Sequence, residues 1–548
     1  MSFLDAIFDN LERDPSRAAI AEVHGKRIET FDGKAIADLA ARTRAFLADA
    51  GVQPGDKVGL LAPNSARWVG ADLAILSFGA TVVPLYDRQD PKELAVMLAN
   101  ARPKAILAAT RELADAISAA YDGECEVAVF DAVFATDPAS DPGRRALEAD
   151  HTVAIIYTSG TSGEPKGVML TRANFDFMIP KTIDRLSKVV GPRNEPERVF
   201  HFLPFCFAAA RLMLWTQLSR PNPLMISTDL KNLVEEMGTA APNYFLTVPA
   251  VLERIRHGVG AKVRERGGLV ARLYDAGFEA YRRMREGRAG FVDRLVLSLS
   301  RAVVYQAIRR QVGPALEFLI SGSAPLSEET QDWFGLLGVP VYQAYGLTET
   351  TGIVTLDDPA RTVPGRVGYA IAGVELHVTD AGELLVRGPN LFAGYHEKPE
   401  ETKKAIDDDG WFHTGDQVDL EGGNLRIIGR IKNLIIPESG HNIAPEPLEE
   451  KFRELCPKAE QAVLVGHGKP ALALLVTGDV APEEVAAAVE RFNQTVPHYK
   501  KIRHFLVLDE PFSPDNGLLT ANQKLKRRAI EARYAEQIDA LYGQKGAA

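Results

Sequence analysis

The chain has 548 residues, of which 46% are apolar and 25% are charged, and its formal net charge at pH 7 is -10. This length exceeds one compact domain, so we expect two or more. The composition is that of an ordinary globular protein and excludes a disordered or membrane-spanning chain, while the acidic balance argues against a nucleic-acid-binding protein.

The amino terminus, MSFLDAIFDNLERDPS, carries acidic residues early and contains no uninterrupted apolar segment. We therefore expect no secretory signal and a cytoplasmic location. From about residue 35, helical and strand-like patterns alternate: IADLAARTRAFLADAGV, DKVGLLAP, WVGADLAILSFGA and TVVPLY. This alternation predicts an α/β fold of βαβ units on a largely parallel sheet. The three cysteines are far apart and lack metal-ligand spacing, which argues against zinc and redox chemistry.

A loop rich in glycine and hydroxyl side chains, YTSGTSGEPKGVML, follows the apolar run VAIIY, which predicts a buried strand. Its glycines permit close backbone approach, its hydroxyls can donate hydrogen bonds, and Lys166 adds a positive charge, so the loop suits a phosphate. Pro165 and Gly167 exclude the helix that a Walker loop requires, which favours a flexible loop; a Ser/Thr/Gly-rich surface turn is the alternative. The candidate phosphate-binding residues are Thr158, Ser159, Gly160, Thr161, Ser162, Gly163 and Lys166.

Two later regions differ from the rest of the chain in their pattern of charged and apolar residues. Residues 256–311 are charged and rich in arginine, which predicts two or three amphipathic helices with a polar loop near REGRAG. Short strands with acidic turns predict a small β subdomain at about 374–431. We therefore predict a large N-terminal domain of parallel-rich sheets with helices over 1–431, and a mixed α/β C-terminal lid over 432–548.

Several other segments carry candidate site residues, and each is a weak signal alone. In YGLTETTG, Glu349 beside Thr348 could hold Mg²⁺ near phosphates, or the segment could be a capped helix start with a surface acid. In SGSAPL, small residues could support an adenine ring or form a plain strand-to-helix turn. In WFHTGD, we expect Asp416 in a tight turn, where its carboxylate could accept hydrogen bonds from both hydroxyls of a ribose. The alternative is that Asp416 only stabilises the turn.

Two further segments supply three basic candidate residues. IIGRIKNLI places Arg430 and Lys432 at the junction between the two predicted domains, where a hinge is expected. NGLLTANQKLKRR places Lys524 in a basic run, where a solvated lysine is the commoner case.

In their order and spacing these segments resemble the adenylate-forming superfamily of acyl-CoA synthetases, luciferases and nonribosomal peptide adenylation domains, from about residue 25 to residue 530. ADLAILSFGATVVPLY, ELLVRGPNLFAGYHEKPEET and LTANQKLKRR are similar to segments of the bacterial long-chain fatty acyl-CoA synthetase branch. The resemblance implies that the C-terminal lid is mobile and turns about Lys432.

The resemblance also implies an ATP-dependent acyl-CoA ligase that uses Mg²⁺. A medium- or long-chain fatty acid and ATP would form acyl-AMP with release of pyrophosphate, and the thiol of CoA would then displace AMP. Electrostatic stabilisation can promote the first step without a protein nucleophile. The implied partners are the small molecules ATP, fatty acid and CoA and no nucleic acid; a homodimer and peripheral membrane contact are left open.

By the same resemblance, the glycine-hydroxyl loop would hold the β- and γ-phosphates, Thr348 would contact the α-phosphate, and Glu349 would ligate the metal. Lys524 would bridge the carboxylate and the α-phosphate. The implied catalytic residues are Lys524, Thr348, Glu349 and Arg430. The implied adenine and ribose contacts are Gly322, Ser323, Ala344, Tyr345, Gly346, Asp416 and Arg430.

We expect the acyl pocket to be formed by Phe205, Phe207, Ala208 and Val248. The chain departs from the pattern of the long-chain branch at one of these positions. Phe207 stands where the long-chain branch usually carries a histidine, which puts a polar role at this position in doubt. An apolar pocket discriminates by only about 1–3 kcal/mol per methylene, so the sequence does not give the chain length.

Two alternatives stay open. The enzyme could deliver the acyl group to a separate carrier protein or another acceptor instead of CoA. The chain could also be an inactive nucleotide-binding homologue, although Lys166, Glu349, Asp416 and Lys524 are all present.

Overall fold

The computed structural model describes residues 1–159, 165–193, 195–513, 516–520 and 524–543. The chain divides into two compact units, each made from two stretches of sequence. The first unit comprises Met1–Leu376 and Val386–Phe412, and the second comprises His377–Leu385 and His413–Ala548. Among the helices in the described part of the chain, none combines the length and apolar character needed to cross a bilayer.

The strands and helices follow one another along the chain. The strands are β1 (Ala18–His24), β2 (Arg27–Asp32), β3 (Lys57–Leu61), β4 (Thr81–Leu85), β5 (Ala105–Ala108), β6 (Glu126–Val129), β7 (Thr152–Ser159), β8 (Pro165–Thr171), β9 (Val199–His201), β10 (Leu224–Ser227), β11 (Tyr244–Thr247), β12 (Leu319–Ser321), β13 (Val341–Tyr345), β14 (Thr355–Leu356), β15 (Tyr369–Ala370), β16 (Glu375–Val378), β17 (Glu383–Arg387), β18 (Gly394–Tyr395), β19 (Phe412–Glu421), β20 (Asn424–Arg430), β21 (Gln461–Val465), β22 (Leu472–Thr477) and β23 (Ile502–Leu508). The helices are α1 (Phe3–Arg13), α2 (Gly33–Asp49), α3 (Ala66–Phe78), α4 (Pro91–Ala101), α5 (Arg111–Ala120), α6 (Phe130–Ala135), α7 (Arg172–Val190), α8 (Ala208–Leu218), α9 (Leu233–Ala240), α10 (Pro249–Arg266), α11 (Gly268–Arg285), α12 (Phe291–Ser300), α13 (Gln306–Val312), α14 (Glu328–Leu336), α15 (Pro399–Ala405), α16 (Pro445–Leu455), α17 (Pro482–Gln494), α18 (Arg527–Arg533) and α19 (Ala535–Gly543).

The first unit contains two sheets. One has the strand order β15-β14-β13-β12-β11-β9-β10-β1-β2, and its strands from β13 to β1 are parallel. The other has the order β18-β8-β7-β4-β3-β5-β6, in which β8 is antiparallel to both β7 and β18 and the strands from β7 to β6 are parallel. The predicted α/β fold with parallel-rich sheets is therefore confirmed.

Helix α3 has strong sequence signals at its start, along its body and at its end. Ser65 caps its start by accepting a hydrogen bond from the backbone N–H of Trp68 at 3.1 Å, and Gly79, at φ +89°, ends it. Every residue of α3 except Arg67 is buried. A helix that is apolar on all sides belongs in a protein core, and here it also buries one carboxylate, Asp72.

The arginine-rich stretch forms a helical insertion of four helices, α10, α11, α12 and α13, and not of the two or three predicted, with a π-helical turn at Arg301–Tyr305 before α13. The REGRAG segment is the loop between α11 and α12, as predicted. Close packing of α11 on α12 needs Gly277, since a Cβ there would lie 2.5 Å from the Cβ of Ser300. The insertion is anchored by Tyr274, whose hydroxyl accepts from Trp333 Nε1 at 2.8 Å.

The second unit contains the strands β19 and β20, which form an antiparallel hairpin closed by Gly422 and Gly423, both at positive φ. Its other sheet has the order β21-β22-β23 and carries α16 and α17 on a core that includes Phe452 and Phe492. The predicted domain boundary at Lys432 stays a prediction.

Candidate active site

The predicted phosphate loop connects β7 and β8, which pair as antiparallel strands. Thr158 lies opposite Lys166, and Ser159 lies opposite Pro165. The loop is therefore shorter than the sequence suggested, because these residues belong to strands. No helix begins at Lys166, in agreement with the exclusion of a Walker loop. The predicted contacts Gly160, Thr161, Ser162 and Gly163 lie outside the described residues.

Lys166 lies in a small cluster of side chains. Its Nζ is 2.7 Å from Glu401 Oε2 and 4.9 Å from the centre of the Tyr395 ring. The hydrogen bond from Lys166, with a second from Lys404, lowers the pKa of Glu401 to about 2. Glu401 is thus anionic at all ordinary pH values, and Lys166 is held between a carboxylate and an aromatic face.

Tyr395 links this lysine to Glu349. The Tyr395 hydroxyl donates to Glu349 Oε1 at 2.9 Å, and the backbone N–H of Phe392 donates to the Glu349 carbonyl at 2.9 Å. The link depends on strand pairing, because β18 is antiparallel to β8 and places Tyr395 opposite Val168. An ammonium group and a carboxylate therefore both contact one tyrosine, a combination that suits a phosphate with its metal ion.

Thr348 and Glu349 lie in a 3-10 turn, Thr348–Thr350, that follows β13. No α-helix begins here and Glu349 is half-buried; the turn is closed by the Thr350 hydroxyl, which accepts from the Leu347 N–H at 2.9 Å. The turn ends at Gly352, at φ +92°, where a Cβ would lie 3.0 Å from the Cα of Ala209. This close approach brings the turn against the beginning of α8.

The predicted adenine contacts meet at the carboxyl ends of β12 and β13. A Cβ on Gly322 would lie 3.1 Å from the carbonyl oxygen of Ala344, and a Cβ on Gly346 would lie 2.4 Å from that of Gly352. Ser323 adopts φ +73°, which is uncommon for a residue other than glycine and marks backbone strain of the kind found at binding sites. Tyr345, the last residue of β13, is half-buried.

Three of the predicted acyl residues, Phe205, Phe207 and Ala208, lie at or just before the start of α8. Phe205 is buried against Trp68 and His201, with ring centres 5.2 Å and 4.8 Å apart, and the half-buried Phe207 lies 5.9 Å from Tyr86. Burial lowers the pKa of His201 to about 4, and its Nε2 is 2.7 Å from the Leu203 carbonyl oxygen. This histidine is therefore a neutral core residue. Ala208 is the first residue of α8, and Val248 directly precedes α10.

A small open cleft lies beside Phe205. It opens where the carboxyl ends of β3 and β4 face those of β9 and β10, the usual place for a ligand in α/β proteins. Its lining includes the apolar Leu85 and Phe202 and the charged Asp87 and Arg88. Burial raises the pKa of Asp87, although Arg88 opposes this effect.

In the second unit, Asp416 and Arg430 face each other across β19 and β20. Arg430 Nε lies 2.6 Å from Asp416 Oδ1, and the Asp416 side chain is almost fully buried. The expectation of Asp416 in a tight turn was wrong, because it lies inside β19, one residue after Gly415 at φ +67°. The strand pairing brings together the two residues predicted to bind ribose.

Lys524 lies close enough to Lys432 to affect the pKa of Lys432. Burial lowers the pKa of Lys432, and the positive charges of Arg430, Arg528 and Lys524 lower it further against the attraction of Asp416. Lys524 is exposed, and its backbone N–H donates to the Thr520 hydroxyl at 3.1 Å. The predicted hinge residue and the predicted adenylation lysine therefore belong to one positively charged cluster.

Sequence reasoning missed Tyr395 and Glu401. Both lie in FAGYHEKPEET, a segment that carried the resemblance but offered no spacing pattern of its own. Their importance follows from the pairing of β18 with β8 and from the position of α15, which supplies Glu401.

Two protein-family models match the chain. The model of AMP-binding enzymes matches residues 7–396, and the model of the AMP-binding enzyme C-terminal domain matches residues 432–546. The chain is 30% identical to a long-chain-fatty-acid–CoA ligase of Mycobacterium bovis, over 93% of this chain and 92% of that protein. It is 25% identical to a chloroplastic long-chain-fatty-acid–acyl-carrier-protein ligase of Arabidopsis thaliana, over 90% of this chain and 80% of that protein.

The fold is similar to that of a solved A domain of carboxylic acid reductase from Segniliparus rugosus, in complex with AMP and a co-purified carboxylic acid. The TM-score is 0.80 at 20% sequence identity, and the match covers 100% of this chain and 95% of that one. Together with the two family models, these findings confirm the resemblance seen in the sequence motifs: the chain belongs to the AMP-binding enzyme family.

Proposed function

We propose that this protein is an ATP-dependent acyl-CoA ligase that activates a medium- or long-chain fatty acid as acyl-AMP and transfers the acyl group to CoA. The observation that carries the proposal is the series of contacts from Lys166 through Tyr395 to Glu349. An ammonium group for phosphate oxygens and a carboxylate for a magnesium ion are what a bound nucleoside triphosphate requires. The fatty-acid ligase of Mycobacterium bovis supports the acyl substrate.

The first step joins a carboxylate oxygen of the acid to the α-phosphorus and breaks the bond to pyrophosphate. Lys166 and the Thr348 hydroxyl would donate to phosphate oxygens, while Asp416 and Arg430 would hold the ribose. Mg²⁺ would neutralise phosphate charge, and Glu349 would hold it; one carboxylate together with phosphate oxygens suits this ion. In the second step the CoA thiol would attack the acyl carbonyl, and AMP would leave.

The acid is proposed to be a linear fatty acid because the four predicted acyl residues are apolar. Phe205, Phe207, Ala208 and Val248 offer no charged partner for an amino acid substrate. A panel of fatty, aryl and amino acids, assayed at equal concentration, tests this choice. Much faster turnover of an aryl acid or an amino acid would reject it.

We place this activity in the cytoplasm, where ATP and CoA are available. The free cysteines support this location, since Cys125, Cys206 and Cys456 have no disulfide partner in the described part of the chain. Thiols stay reduced in that compartment.

The decisive experiment incubates the pure protein with ATP, Mg²⁺, dodecanoate and CoA. We expect dodecanoyl-CoA, AMP and pyrophosphate in equal amounts. Formation of acyl-AMP and pyrophosphate without a CoA thioester, together with transfer to a phosphopantetheinylated carrier protein, would identify a carrier protein as the acceptor. Failure to exchange pyrophosphate into ATP with every acid tested would show an inactive homologue.

Tyr395→Phe tests the link between Lys166 and Glu349. The ring stays beside Lys166, but Glu349 loses a hydrogen bond to a charged group, which contributes about 1.5–3 kcal/mol. We expect kcat/KM for acyl-AMP formation to fall about 10- to 100-fold and the Mg²⁺ concentration for half-maximal rate to rise. Tyr499→Phe, at an exposed tyrosine in the second unit, is the control and should keep both values. An unchanged Mg²⁺ requirement in Tyr395→Phe would contradict the role given to Glu349.

Lys432→Pro tests the proposed hinge. Lys432 lies inside a 3-10 turn, Ile431–Asn433, whose φ values proline can adopt, so the variant should fold. We expect thioester formation from supplied acyl-AMP to fall roughly tenfold or more, with a smaller loss in pyrophosphate exchange. Lys432→Ala removes the charge but keeps φ free and serves as the matched control. Equal losses in Lys432→Ala and Lys432→Pro would show that the charge, not backbone rotation, is what matters.

A further inference from the structure

The helical insertion concentrates exposed apolar side chains. In the described part of the chain, eight of the fifteen exposed large apolar side chains lie between residues 269 and 303. Scattered exposed apolar residues are normal on a protein surface, whereas a contiguous group marks a surface that contacts something else. This group lies outside the candidate active site, so it has no part in the proposed chemistry.

Most of the group lies on α12 and the π-helical turn after it. Phe291, Leu295 and Leu299 recur every four residues and are 82%, 63% and 50% exposed. Residues at this spacing lie on one side of a helix. Val292 and Val303, 70% and 50% exposed, extend the same side. We call these five side chains the α12 face.

The opposite side of α12 already has its packing partners. Leu297 and Ser300 are buried, as are Val304 and Tyr305 in the following turn, and the Tyr305 hydroxyl donates to the Tyr274 carbonyl oxygen at 2.6 Å. The helix is therefore fixed to the insertion by its inner side. The α12 face is not needed to hold the insertion together, and its side chains remain accessible.

The charge around the α12 face differs from that of the rest of the chain. Residues 249–312 contain 14 Lys and Arg and 6 Asp and Glu, a net charge of +8, within a chain whose total is -10. Arg288 precedes α12, Arg294 lies between Phe291 and Leu295 in sequence, and Arg301 follows the helix; all three arginines are exposed. An apolar strip with arginines beside it is typical of a helix that lies in the interface of an anionic bilayer.

We propose that the α12 face is a docking surface for anionic lipid bilayers, with its apolar side chains inserted among the acyl chains and the arginines on the lipid headgroups. A second copy of this chain is a poorer occupant, because a two-fold contact would bring two regions of charge +8 together. The proposal does not rest on the identity of the acid or of the acceptor.

Vesicle sedimentation tests the proposal on the full chain. We expect binding to vesicles of phosphatidylcholine with 30% phosphatidylglycerol, much weaker binding to pure phosphatidylcholine, and a loss of affinity with added salt. Phe291→Ser with Leu295→Ser should weaken binding by at least about tenfold. Val234→Ser, at a 75% exposed valine on α9, is the matched control and should bind as the unmodified protein does.

A second pair of variants separates charge from apolar contact. Arg294→Glu with Arg301→Glu should abolish the preference for anionic vesicles. Lys26→Glu with Arg27→Glu makes the same change in net charge on an exposed hairpin, where the two side chains are 84% and 75% exposed, and should keep most of the binding. Equal losses in both double variants would show that only total charge matters and would overturn the docking surface.

A reporter at the α12 face measures insertion directly. Phe291→Trp should show a blue shift of its added fluorescence and quenching by brominated acyl chains when anionic vesicles are present. No quenching, or vesicle binding that survives Phe291→Ser with Leu295→Ser, would overturn the proposal. A concentration-dependent dimer that this double variant abolishes, without any vesicle binding, would assign the α12 face to a second copy instead.

Discussion

Replacing Lys524 with alanine is expected to reduce acyl-AMP formation about 10²- to 10³-fold, which corresponds to about 3–4 kcal/mol of lost electrostatic stabilisation. Thioester formation from supplied acyl-AMP should stay close to the unmodified rate, because the lysine is proposed to act only in the first step. Single-turnover measurements of the two half-reactions give the two rates separately.

Lys524 lies where its removal should affect catalysis and not folding. The side chain is exposed, so its removal should not affect folding, and its backbone is fixed by a hydrogen bond from the Thr520 N–H to the Lys524 carbonyl oxygen at 2.8 Å. Lys526→Ala, two residues further along, removes a lysine from the same segment and should leave both half-reactions nearly unchanged. A similar loss in the two half-reactions of Lys524→Ala would contradict the assigned step.

Arg211→Met is expected to lower the free energy of unfolding of the first unit by about 3–5 kcal/mol, the cost of leaving a buried charge without its partner. Arg211 on α8 forms an ion pair with Asp72 on α3, and both side chains are fully buried. Trp215 Nε1 also donates to Asp72 at 3.0 Å, and the Arg211 guanidinium carbon lies 5.2 Å from the centre of the Trp68 ring. The pair thus fixes the start of α8, beside the predicted acyl residues Phe205, Phe207 and Ala208.

Denaturant unfolding followed by tryptophan fluorescence measures this loss. Arg211→Met combined with Asp72→Asn should recover much of the stability, because no buried charge then remains. Arg67→Met is the control: Arg67 pairs with Asp131 at 2.8 Å on the surface, and its loss should cost less than about 1 kcal/mol. A small effect of Arg211→Met would show that the buried pair does not stabilise the fold.

The effect of Arg211→Met should also depend on pH. Burial raises the pKa of Asp72 above its value in the unfolded chain. The folded state therefore binds a proton at Asp72 more tightly, and stability should increase as the pH falls through the folded pKa. Arg211 opposes this rise in the unmodified protein, so Arg211→Met should raise the pKa of Asp72 further, and the loss of stability in this variant should shrink as the pH is lowered from 7.

Most of the fold could be predicted because its elements carry strong local signals. Helix α3 has a serine cap, an apolar body and a terminal glycine, and the four elements from α2 to β4 were recognised in the right order. The exceptions were positions where the backbone depends on a distant partner. The WFHTGD motif predicts Asp416 in a tight turn, but pairing with β20 keeps it in a strand.

The candidate site was only partly predictable for the same reason. Lys166 and Glu349 stand in motifs whose composition indicates phosphate and metal binding. Tyr395 and Glu401 stand in a segment without such a pattern, more than two hundred residues after Lys166. Nothing local indicates that β18 pairs with β8, since strand pairing over a long separation is set by how the sheets assemble.

The sequence by itself determined the family, the chemistry expected at the phosphates and the apolar character of the acyl residues, because these depend on residue type and spacing. Only the tertiary structure decided which groups contact Lys166 and which side of α12 is covered. Helix α12 carries apolar residues on both sides, so its sequence does not show which side is buried. Packing of α12 against α11 leaves Phe291 and Leu295 exposed. Contacts between distant segments form only when the chain has folded, so they cannot be read from local patterns.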